Sequence, residues 1–274
     1  MRYLQSGVFI LGLNGKVALV FGVASEDSIA WAICQRLAQA GCKLYLGYQK
    51  RFMSRIFQLK DKLPEIAGFY PLDVAGDETT AEFFNEFKKE NPNLKVDVMV
   101  HAIGFAPREC FDRHILFVDD DAINTAITIS ANSLQRIMRH AMPFLNKNSS
   151  TITLTYAAST RFVPNYGVMS IAKAALESWT RELACQLGPE GHRLNAISSG
   201  PIKTIAAGGI PGFDKILDHV EENSPLRRNV NQDDVAGCTI WLASELSSGV
   251  TGQCIHVDAG YSSTMVPGSI MGDD

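Results

Sequence analysis

The sequence predicts a single doubly wound α/β domain with a parallel sheet of about seven strands. Short runs rich in Val, Ile and Leu alternate with amphipathic stretches along nearly the whole chain, a pattern typical of a parallel sheet covered by helices on both faces. Of the 274 residues, 46% are hydrophobic and 20% are charged, so there is ample apolar surface to offset the entropy of ordering the chain. No repeat or linker divides the sequence, which favours one large domain over two small ones.

The first half of the chain predicts four strands, each followed by a helix. Residues 17–22 form the first strand, after which Ile29, Ile33 and Leu37 recur every four residues and Gly41 closes a helix. The later strands of this half are predicted at residues 43–47, 69–72 and 96–102, and the later helices at about 51–62, 78–90 and 122–145.

The second half adds three strands and two helices. The strands are predicted at residues 151–155, 193–197 and Cys254–Val257, and the helices at 166–187 and 233–244. These elements assign residues 13–261 to the domain, 1–12 to an N-terminal extension and 262–274 to a C-terminal tail. Ligands of such sheets bind beyond the carboxyl ends of the strands, so the residues that follow each strand are the candidates for function.

Composition and charge exclude several classes of function. The formal net charge is −4, and nothing in this balance indicates a nucleic-acid partner. The clearest apolar run, residues 17–24, is eight residues long, whereas a helix needs about 20 to cross a bilayer. Six Cys without a CxxC pair predict reduced thiols in a cytoplasmic protein. Six His without an HxxxH or HExxH motif predict that there is no metal site.

The loop after the first predicted strand is a candidate phosphate-binding loop. Gly22 precedes Ser28 and Ile29 at the start of a helix, and a glycine there lets the backbone approach a pyrophosphate, as in Rossmann-type domains. Only one glycine of the usual pattern is present, since Glu26 and Ser28 stand at the other glycine positions. Ser28 is explained equally well as a helix N-cap.

The next three strand ends predict an adenosine site. Gln49 follows the second strand, where NAD-specific sites usually have an acidic residue. Lys50 and Arg51 either accommodate a 2′-phosphate or are solvated helix residues. After the third strand, Asp73 either contacts an adenine amine or caps the next helix. After the fourth strand, Gly104 lets the backbone approach the cofactor closely.

Tyr166 and Lys173 are the most informative pair in the sequence. They are seven residues apart in a predicted helix and therefore lie on one face, two turns apart. A Lys ammonium beside a phenol, or beside a ribose that also binds the phenol, favours proton donation and charge stabilisation. Tyr166 alone is also explained as an aromatic residue that packs the start of a helix on the sheet.

The segment after the sixth strand combines a sharp turn with small residues. Gly200 and Pro201 turn the chain, after which the backbone of Ile202 can pair with a planar amide such as nicotinamide, and Thr204 can lie near the phosphates. Residues 205–213 are small and Gly-rich, which predicts either a mobile lid over an apolar ligand or an ordinary surface loop.

Taken together, these segments resemble the enoyl-acyl-carrier-protein reductases, a divergent branch of the short-chain dehydrogenase/reductase superfamily. The resemblance covers about residues 13–261. Its marks are the loop from Gly22 to Ala30, the segment His101-x-Ile-Gly-Phe-Ala-Pro107, Tyr156 and Tyr166 with Lys173, and the run Gly200-Pro-Ile-x-Thr-x-Ala-Ala207. Ordinary members of the superfamily have Tyr-x3-Lys and a Pro-Gly turn, whereas this chain has Tyr-x6-Lys and Gly-Pro.

The resemblance implies a role for each matching position. Lys173 binds the nicotinamide ribose, Tyr166 hydrogen-bonds the thioester carbonyl, and Tyr156 lines the acyl site and assists. The implied cofactor-binding residues are Gly22, Ser28, Ile29, Gln49, Asp73, Val74, Ala102, Ile103, Gly104, Lys173, Ile202 and Thr204. The implied substrate-binding residues besides the two tyrosines are Phe105, Met169, Ala206, Ile210 and Phe213, with a substrate loop at about residues 203–220.

The implied reaction is the reduction of a trans-2-enoyl thioester on acyl carrier protein by NADH, the last step of the type II fatty-acid elongation cycle. Gln49 favours NADH, while Lys50 and Arg51 leave NADPH open. The family implies a homotetramer, and Lys203, Arg227 and Arg228 are candidates for docking the acidic carrier. Two alternatives stay open: a ketoacyl or other carbonyl reductase of the same superfamily, and a catalytically silent dinucleotide-binding regulator.

Overall fold

The computed structural model describes residues 11–205 and 207–264, with a parallel sheet at their centre. Its strands are β1 Val17–Phe21, β2 Lys43–Tyr48, β3 Ile66–Pro71, β4 Val96–His101, β5 Leu145–Tyr156, β6 Arg193–Ser199 and β7 Cys254–Val257. They form a seven-stranded sheet in the order β3-β2-β1-β4-β5-β6-β7, and every pairing is parallel. The strand order changes direction between β1 and β4, which opens a crevice at their carboxyl ends.

Helices follow the strands as the alternation predicts. The α-helices of the described residues are α1 Ile29–Gln39, α2 Met53–Lys60, α3 Asp77–Glu90, α4 Glu109–Asp112, α5 Asp120–Ile127, α6 Ser133–Ala141, α7 Val168–Leu187, α8 Phe213–Asn223 and α9 Gln232–Ala243. A π-helical segment, Thr128–Asn132, joins α5 to α6.

An apolar core lies on each face of the sheet. Ala18 and Val20 of β1 pack into one core with residues of α1 and α9, whereas Leu19 and Phe21 pack into the other with residues of α3, α6 and α7. Successive residues of a strand point to opposite faces, so this alternation assigns the two cores to opposite sides. All of β1 is buried, as expected of a central strand that is covered on both faces.

Side-chain and backbone chemistry determines where several elements begin and end. Ser28 Oγ accepts a hydrogen bond from the Trp31 amide at 3.3 Å and caps α1. Gly41, just after α1, has a φ of 88°, a left-handed conformation that glycine adopts without strain. Asn231 and Asp234 form a reciprocal capping box at the start of α9.

The structure confirms the predicted fold class but corrects the region between β4 and β5. The helix predicted at residues 122–145 is α5, the π-helical segment and α6, and it ends before Pro143, which lies in a 3₁₀ turn. β5 then begins at Leu145 rather than at 151. Ser149 and Ser150 of this strand are buried and hydrogen-bond His192 and the Leu242 carbonyl, so satisfied polar groups replace the hydrophobic pattern of a strand.

Other bounds also differ from the prediction. The helix predicted at residues 166–187 begins at Val168, because Asn165 and Gly167 have positive φ and leave Tyr166 in the turn before it. β3 begins at Ile66 rather than at 69. The sequence does not reveal this start because Gly68, which lies against the Tyr45 and Tyr70 rings, interrupts the apolar pattern. The last part of the predicted substrate loop is helical, since α8 begins at Phe213. The short helix α4 was not predicted. The N-terminal extension and the C-terminal tail lie almost wholly outside the described residues.

The described residues contain neither a membrane-spanning helix nor a metal-binding cluster. Within residues 11–205 and 207–264, no helix has both the length and the apolar character that crossing a bilayer requires. Over the same residues, no group of three or more His, Cys, Asp or Glu side chains is placed to hold a metal ion.

Candidate active site

A cleft of about 1140 Å³ opens at the carboxyl ends of the central strands. Its walls come from the loops after β1 to β6 and from the N-terminal part of α7, because all carboxyl ends of a parallel sheet meet at one edge. The predicted site residues that line it are Gly22, Ser28, Ile29, Gln49, Asp73, Val74, Ala102, Ile103, Gly104, Phe105, Tyr156, Tyr166, Met169, Lys173, Ile202, Thr204, Ile210 and Phe213. Ala206 lies outside the described residues.

The loop after β1 packs closely on the neighbouring strand end. Gly22 has a φ of 102°, and a Cβ there would lie 2.0 Å from the Ala102 carbonyl oxygen. Ser28 donates to the Ser25 carbonyl at 2.7 Å while it caps α1, so the capping interpretation is correct and the residue also lines the cleft. The Ser25 hydroxyl is buried and has no hydrogen-bond partner among the described residues.

At the predicted adenosine end, the side chain of Asp73 has a local structural role. Its Oδ1 accepts from the Ala75 amide at 2.9 Å, while Gly76 rather than Asp73 is the N-cap of α3. The capping alternative for Asp73 is therefore wrong, and the carboxylate forms an Asx turn. Gln49 is exposed at the mouth of the cleft. The guanidinium of Arg51 lies over the Phe105 ring, 5.5 Å from its centroid.

The loop after β4 is clamped by a serine that the sequence did not reveal. Ser130 Oγ donates to the Phe105 carbonyl at 2.8 Å and accepts from the Phe105 amide at 2.9 Å. This reciprocal pair fixes the backbone next to Gly104. A Cβ at Gly104 would lie 3.7 Å from Lys173 Nζ, so a side chain there would occupy the cleft beside the ammonium.

The rings of Tyr156 and Tyr166 are in contact in the cleft, with centroids 5.0 Å apart. Tyr166 is 8% exposed and lies between two residues of positive φ, Asn165 at 62° and Gly167 at 50°. A Cβ at Gly167 would lie 2.0 Å from the Cys110 carbonyl oxygen. Burial raises the pKa of Tyr156 to about 12 and also raises that of Tyr166, so both phenols are protonated at neutral pH.

Lys173 reaches the same point from α7. Its Nζ donates to the Leu154 carbonyl at 2.8 Å, and its side chain is buried, with 7% of the residue exposed. Burial lowers its pKa to about 8, and the charge of Glu177 opposes that effect. Tyr166 and Lys173 both line the cleft, as their spacing predicts. The prediction that both lie on one helix is wrong for Tyr166, because α7 begins at Val168 and Tyr166 lies in the turn before it.

The segment after β6 closes the cleft on its other side. Ile202 is buried, and Thr204 accepts at its Oγ1 from the Ala207 amide at 3.2 Å. Ile210 packs against the apolar cluster that contains Tyr166. Asn165 Nδ2 donates to the Pro211 carbonyl at 2.8 Å, so the turn that holds Tyr166 is bonded directly to the predicted substrate loop.

His101, at the end of β4, is fully buried beneath the site. Its Nδ1 lies 2.9 Å from Thr153 Oγ1 and its Nε2 lies 2.8 Å from Ser133 Oγ. Burial and the nearby charge of Lys173 lower its pKa to about 3, so the imidazole is neutral. The sequence marked His101 by resemblance only, and Ser130, Asn165 and Glu177 were not singled out at all. Only the fold brings these residues next to the cleft.

Comparison with known proteins gives one consistent result. A family model described as enoyl-(acyl carrier protein) reductase matches residues 22–262. Curated proteins named enoyl-acyl-carrier-protein reductase (NADH) are similar over most of the chain. The one from Synechocystis is 39% identical over 92% of this chain and 98% of its own, and the one from Haemophilus influenzae is 41% identical over 92% and 96%.

Solved structures agree with the sequence comparisons. A crystal structure of the Bacillus cereus enoyl-acyl carrier protein reductase with NADP⁺ and indole naphthyridinone superposes with a TM-score of 0.89, at 39% identity, over 93% of this chain and 99% of that one. The Aquifex aeolicus enoyl-acyl-carrier-protein reductase (NADH) gives a TM-score of 0.88 at 35% identity, over 93% and 99%.

Proposed function

The chain belongs to the enoyl-acyl-carrier-protein reductase family, and from that premise we propose how its cleft performs the reaction. The enzyme reduces a trans-2-enoyl thioester on acyl carrier protein with NADH in fatty acid synthesis. The observation that most supports the assignment of roles is the convergence of Tyr156, Tyr166 and Lys173 on one cleft.

The described residues fit a dinucleotide. Gly104 leaves free the space beside Lys173 that a side chain would fill, and the buried Ser25 hydroxyl lacks a partner in the loop where a pyrophosphate would approach. Gly22, Ser28 and Ile29 would meet the pyrophosphate, while Gln49, Asp73 and Val74 would surround the adenosine. Bound NADH supplies the hydride that reduces the β-carbon.

The rest of the predicted cofactor site lies deeper in the cleft. Lys173 would donate to the nicotinamide ribose, Ile202 would meet the carboxamide, and Thr204 would lie near the phosphates. Ala102 and Ile103, in the loop after β4, would complete the wall around the ribose.

The two tyrosines would contact the thioester substrate. As the β-carbon is reduced, negative charge collects on the thioester oxygen, and the Tyr166 hydroxyl donates a hydrogen bond to that oxygen. Burial raises the pKa of this phenol, so it remains a donor rather than a phenolate at working pH. Tyr156 lies against Tyr166 and would shape the acyl site. Protonation of the α-carbon completes the reduction.

The acyl chain would occupy the apolar part of the cleft. Phe105, Met169, Ile210 and Phe213 line it, and Ala206, which lies outside the described residues, is proposed to join them. The segment at about residues 203–220 would cover the bound chain, although from Phe213 onward it does so as a helix.

Two substitutions test the division of roles. Tyr166→Phe removes one oxyanion donor, so we expect kcat to fall by about 10²-fold while the Kd of NADH stays near the wild-type value. Lys173→Ala should raise the Kd of NADH. Stopped-flow turnover and fluorescence titration of NADH measure the two effects. An equal loss of NADH affinity in both variants would contradict this division.

Two alternative functions are tested with the purified wild-type enzyme. Crotonyl and acetoacetyl thioesters are compared as substrates, and we expect NADH oxidation with crotonyl only. Oxidation with acetoacetyl would indicate a carbonyl reductase. Tight NADH binding without turnover of any enoyl thioester would indicate a silent regulator. Repeating the crotonyl assay with NADPH tests whether Lys50 and Arg51 allow the phosphorylated cofactor.

The proposed docking of the carrier protein depends on local positive charge. Lys203 pairs with Asp214 at 3.2 Å and Arg228 with Asp234 at 2.6 Å, so two of the three candidate cations already face a carboxylate. Because salt screens electrostatic docking, we expect added salt to lower kcat/KM more for the carrier-linked substrate than for the same acyl group on coenzyme A.

We also propose a homotetramer in the cytoplasm. The family resemblance supports both proposals, and exposed apolar side chains such as Ile171 on α7 are compatible with an interface. Light scattering on the eluting protein is expected to give four times the chain mass of 30.0 kDa. A stable mass of one or two chains would overturn the tetramer.

A further inference from the structure

A buried carboxylate lies one helical turn beyond Lys173. Glu177 is 7% exposed and follows Lys173 by four residues on α7, so the two side chains are on the same face of the helix. Both meet β5 at successive residues. Lys173 Nζ donates to the Leu154 carbonyl at 2.8 Å, and Thr155 Oγ1 donates to Glu177 Oε1 at 2.7 Å.

Burying either charge alone would be costly. An isolated carboxylate or ammonium loses its hydration in an apolar interior, and an opposite charge nearby favours the ionised form of both. The hydrogen bonds that Glu177 makes with the Thr155 hydroxyl and the Cys254 thiol do not fully replace the water that the carboxylate has lost. The charge of Glu177 acts on Lys173 one helical turn away, and the reaction described above makes no other use of this carboxylate.

We propose that Glu177 is a positioning residue that keeps Lys173 protonated, and so able to donate to the cofactor ribose, at the pH at which the enzyme works. The inference deepens the proposed function and rests on the cofactor role assigned there to Lys173. Glu177 does not contact the reacting atoms and acts only through the lysine.

The electrostatics have the required sign. Burial lowers the pKa of Lys173 to about 8, and the charge of Glu177 opposes this fall. A neutral residue at position 177 removes the opposing effect, so the pKa of the lysine falls further. The lysine then loses its proton at a pH where the wild-type side chain still holds it.

The other groups around this pair keep a constant charge between pH 6.5 and 9. From β4, His101 has a pKa lowered to about 3 by burial and is neutral. From β7, burial raises the pKa of the Cys254 thiol to about 12, and Glu177 contributes through its charge and a hydrogen bond. Burial also raises the pKa of both cleft tyrosines.

The test is the pH profile of NADH binding to Glu177→Gln and Glu177→Met, measured by fluorescence between pH 6.5 and 9. We expect the Kd at pH 6.5 to stay within about twofold of wild type, and affinity to be lost at a lower pH than in wild type. At a pH above both transitions, each pH unit by which the variant's transition lies below that of wild type corresponds to about a tenfold higher Kd. The Met variant is included because it leaves no unsatisfied amide if the Gln variant fails to fold.

Two further variants are controls. Glu182→Gln neutralises an exposed carboxylate on the same helix and should leave the profile unchanged. Glu177→Asp retains the charge on a shorter side chain and should restore the profile most of the way toward wild type. An Asp variant that behaves like the Gln or Met variant would show that charge is not the cause and would overturn the proposal.

The remaining outcomes separate this inference from the proposed function. A Kd raised equally at every pH by the neutral variants indicates a structural role for Glu177 and overturns the inference, as does an unchanged profile. Wild-type protein that binds no NADH, or binds it equally well as Lys173→Ala, overturns the cofactor role of Lys173 and the inference with it.

Discussion

Gly22 has two reasons to be a glycine, one predicted from the sequence and one seen in the structure. The sequence predicts that it lets a pyrophosphate approach the backbone, and this role stays a prediction. The structure adds a demand from within the protein, because a Cβ at this position would lie 2.0 Å from the Ala102 carbonyl oxygen and the residue has a φ of 102°. The loop after β1 and the end of β4 can therefore pack at this distance only with glycine.

Gly22→Ala is expected to destabilise the protein more than the strain of a positive φ alone can explain. The matched control is Gly15→Ala, since Gly15 has a φ of 75° but no atom within 4 Å of its Cβ position. The control should cost about 1–2 kcal/mol, and Gly22→Ala should cost clearly more and raise the Kd of NADH. Urea unfolding measures the first effect. Equal losses of stability would contradict the steric argument.

The turn before α7 links two elements that the sequence treats separately. Asn165 and Gly167 take positive φ values on either side of Tyr166, so the backbone presents the phenol in one direction. Asn165 Nδ2 also bonds the Pro211 carbonyl, and Gly212, with a φ of 73°, leads directly into α8. The position of the predicted substrate loop and the orientation of Tyr166 are therefore coupled through one amide.

Replacing that amide should loosen the loop without affecting the cofactor. Asn165→Gly keeps a residue that tolerates positive φ but loses a hydrogen bond worth about 0.5–1.5 kcal/mol. We expect kcat/KM to fall by about 2- to 10-fold, an unchanged Kd for NADH, and faster tryptic cleavage at Lys203 and Lys215. Asn148→Gly is the control, because Asn148 also has positive φ, at 63°, but lies outside the cleft.

An effect of the same size in the Asn148 variant would attribute the result to backbone freedom alone. A raised Kd for NADH in the Asn165 variant would mean that the turn supports the cofactor site rather than the substrate loop.

At the scale of the whole molecule, buried polar groups lie between the two apolar cores and the cleft. His101 closes β4 and hydrogen-bonds Thr153 and Ser133 in the interior, and burial lowers its pKa from the ordinary 6.5 to about 3. The folded protein therefore disfavours the imidazolium, whereas the unfolded chain accepts it. This group's contribution to stability is complete above pH 6.5 and is lost as the pH falls toward 3.

His101→Gln tests this pH dependence. We expect lower stability at pH 7 but a shallower loss of stability between pH 6.5 and 4, since a single proton contributes at most about 1.4 kcal/mol per pH unit. Urea unfolding at several pH values measures the slope. The exposed His256 on β7 provides the control variant, His256→Gln, which should leave the slope unchanged. If the stability of His101→Gln falls with decreasing pH as steeply as that of wild type, other groups, such as His192, cause most of this pH dependence.

The sequence by itself determined the fold class, the number of strands and the strand ends at which the cleft opens. This was possible because hydrophobic periodicity is local, and because the carboxyl ends of parallel strands meet at one edge wherever the strands are placed. The spacing of Tyr166 and Lys173 predicted that their side chains lie close together, and both line the cleft, although α7 begins at Val168 and Tyr166 lies in the turn before it.

Only the tertiary structure decided which residues support that site. The clamp of Ser130 on Phe105, the bond from Asn165 to Pro211 and the approach of Glu177 to Thr155 each join residues that are distant in sequence. Their energies come from burial and from the removal of water, which depend on packing in three dimensions and leave no local pattern in the chain. For the same reason the buried, hydrogen-bonded serines of β5 hid the true start of that strand.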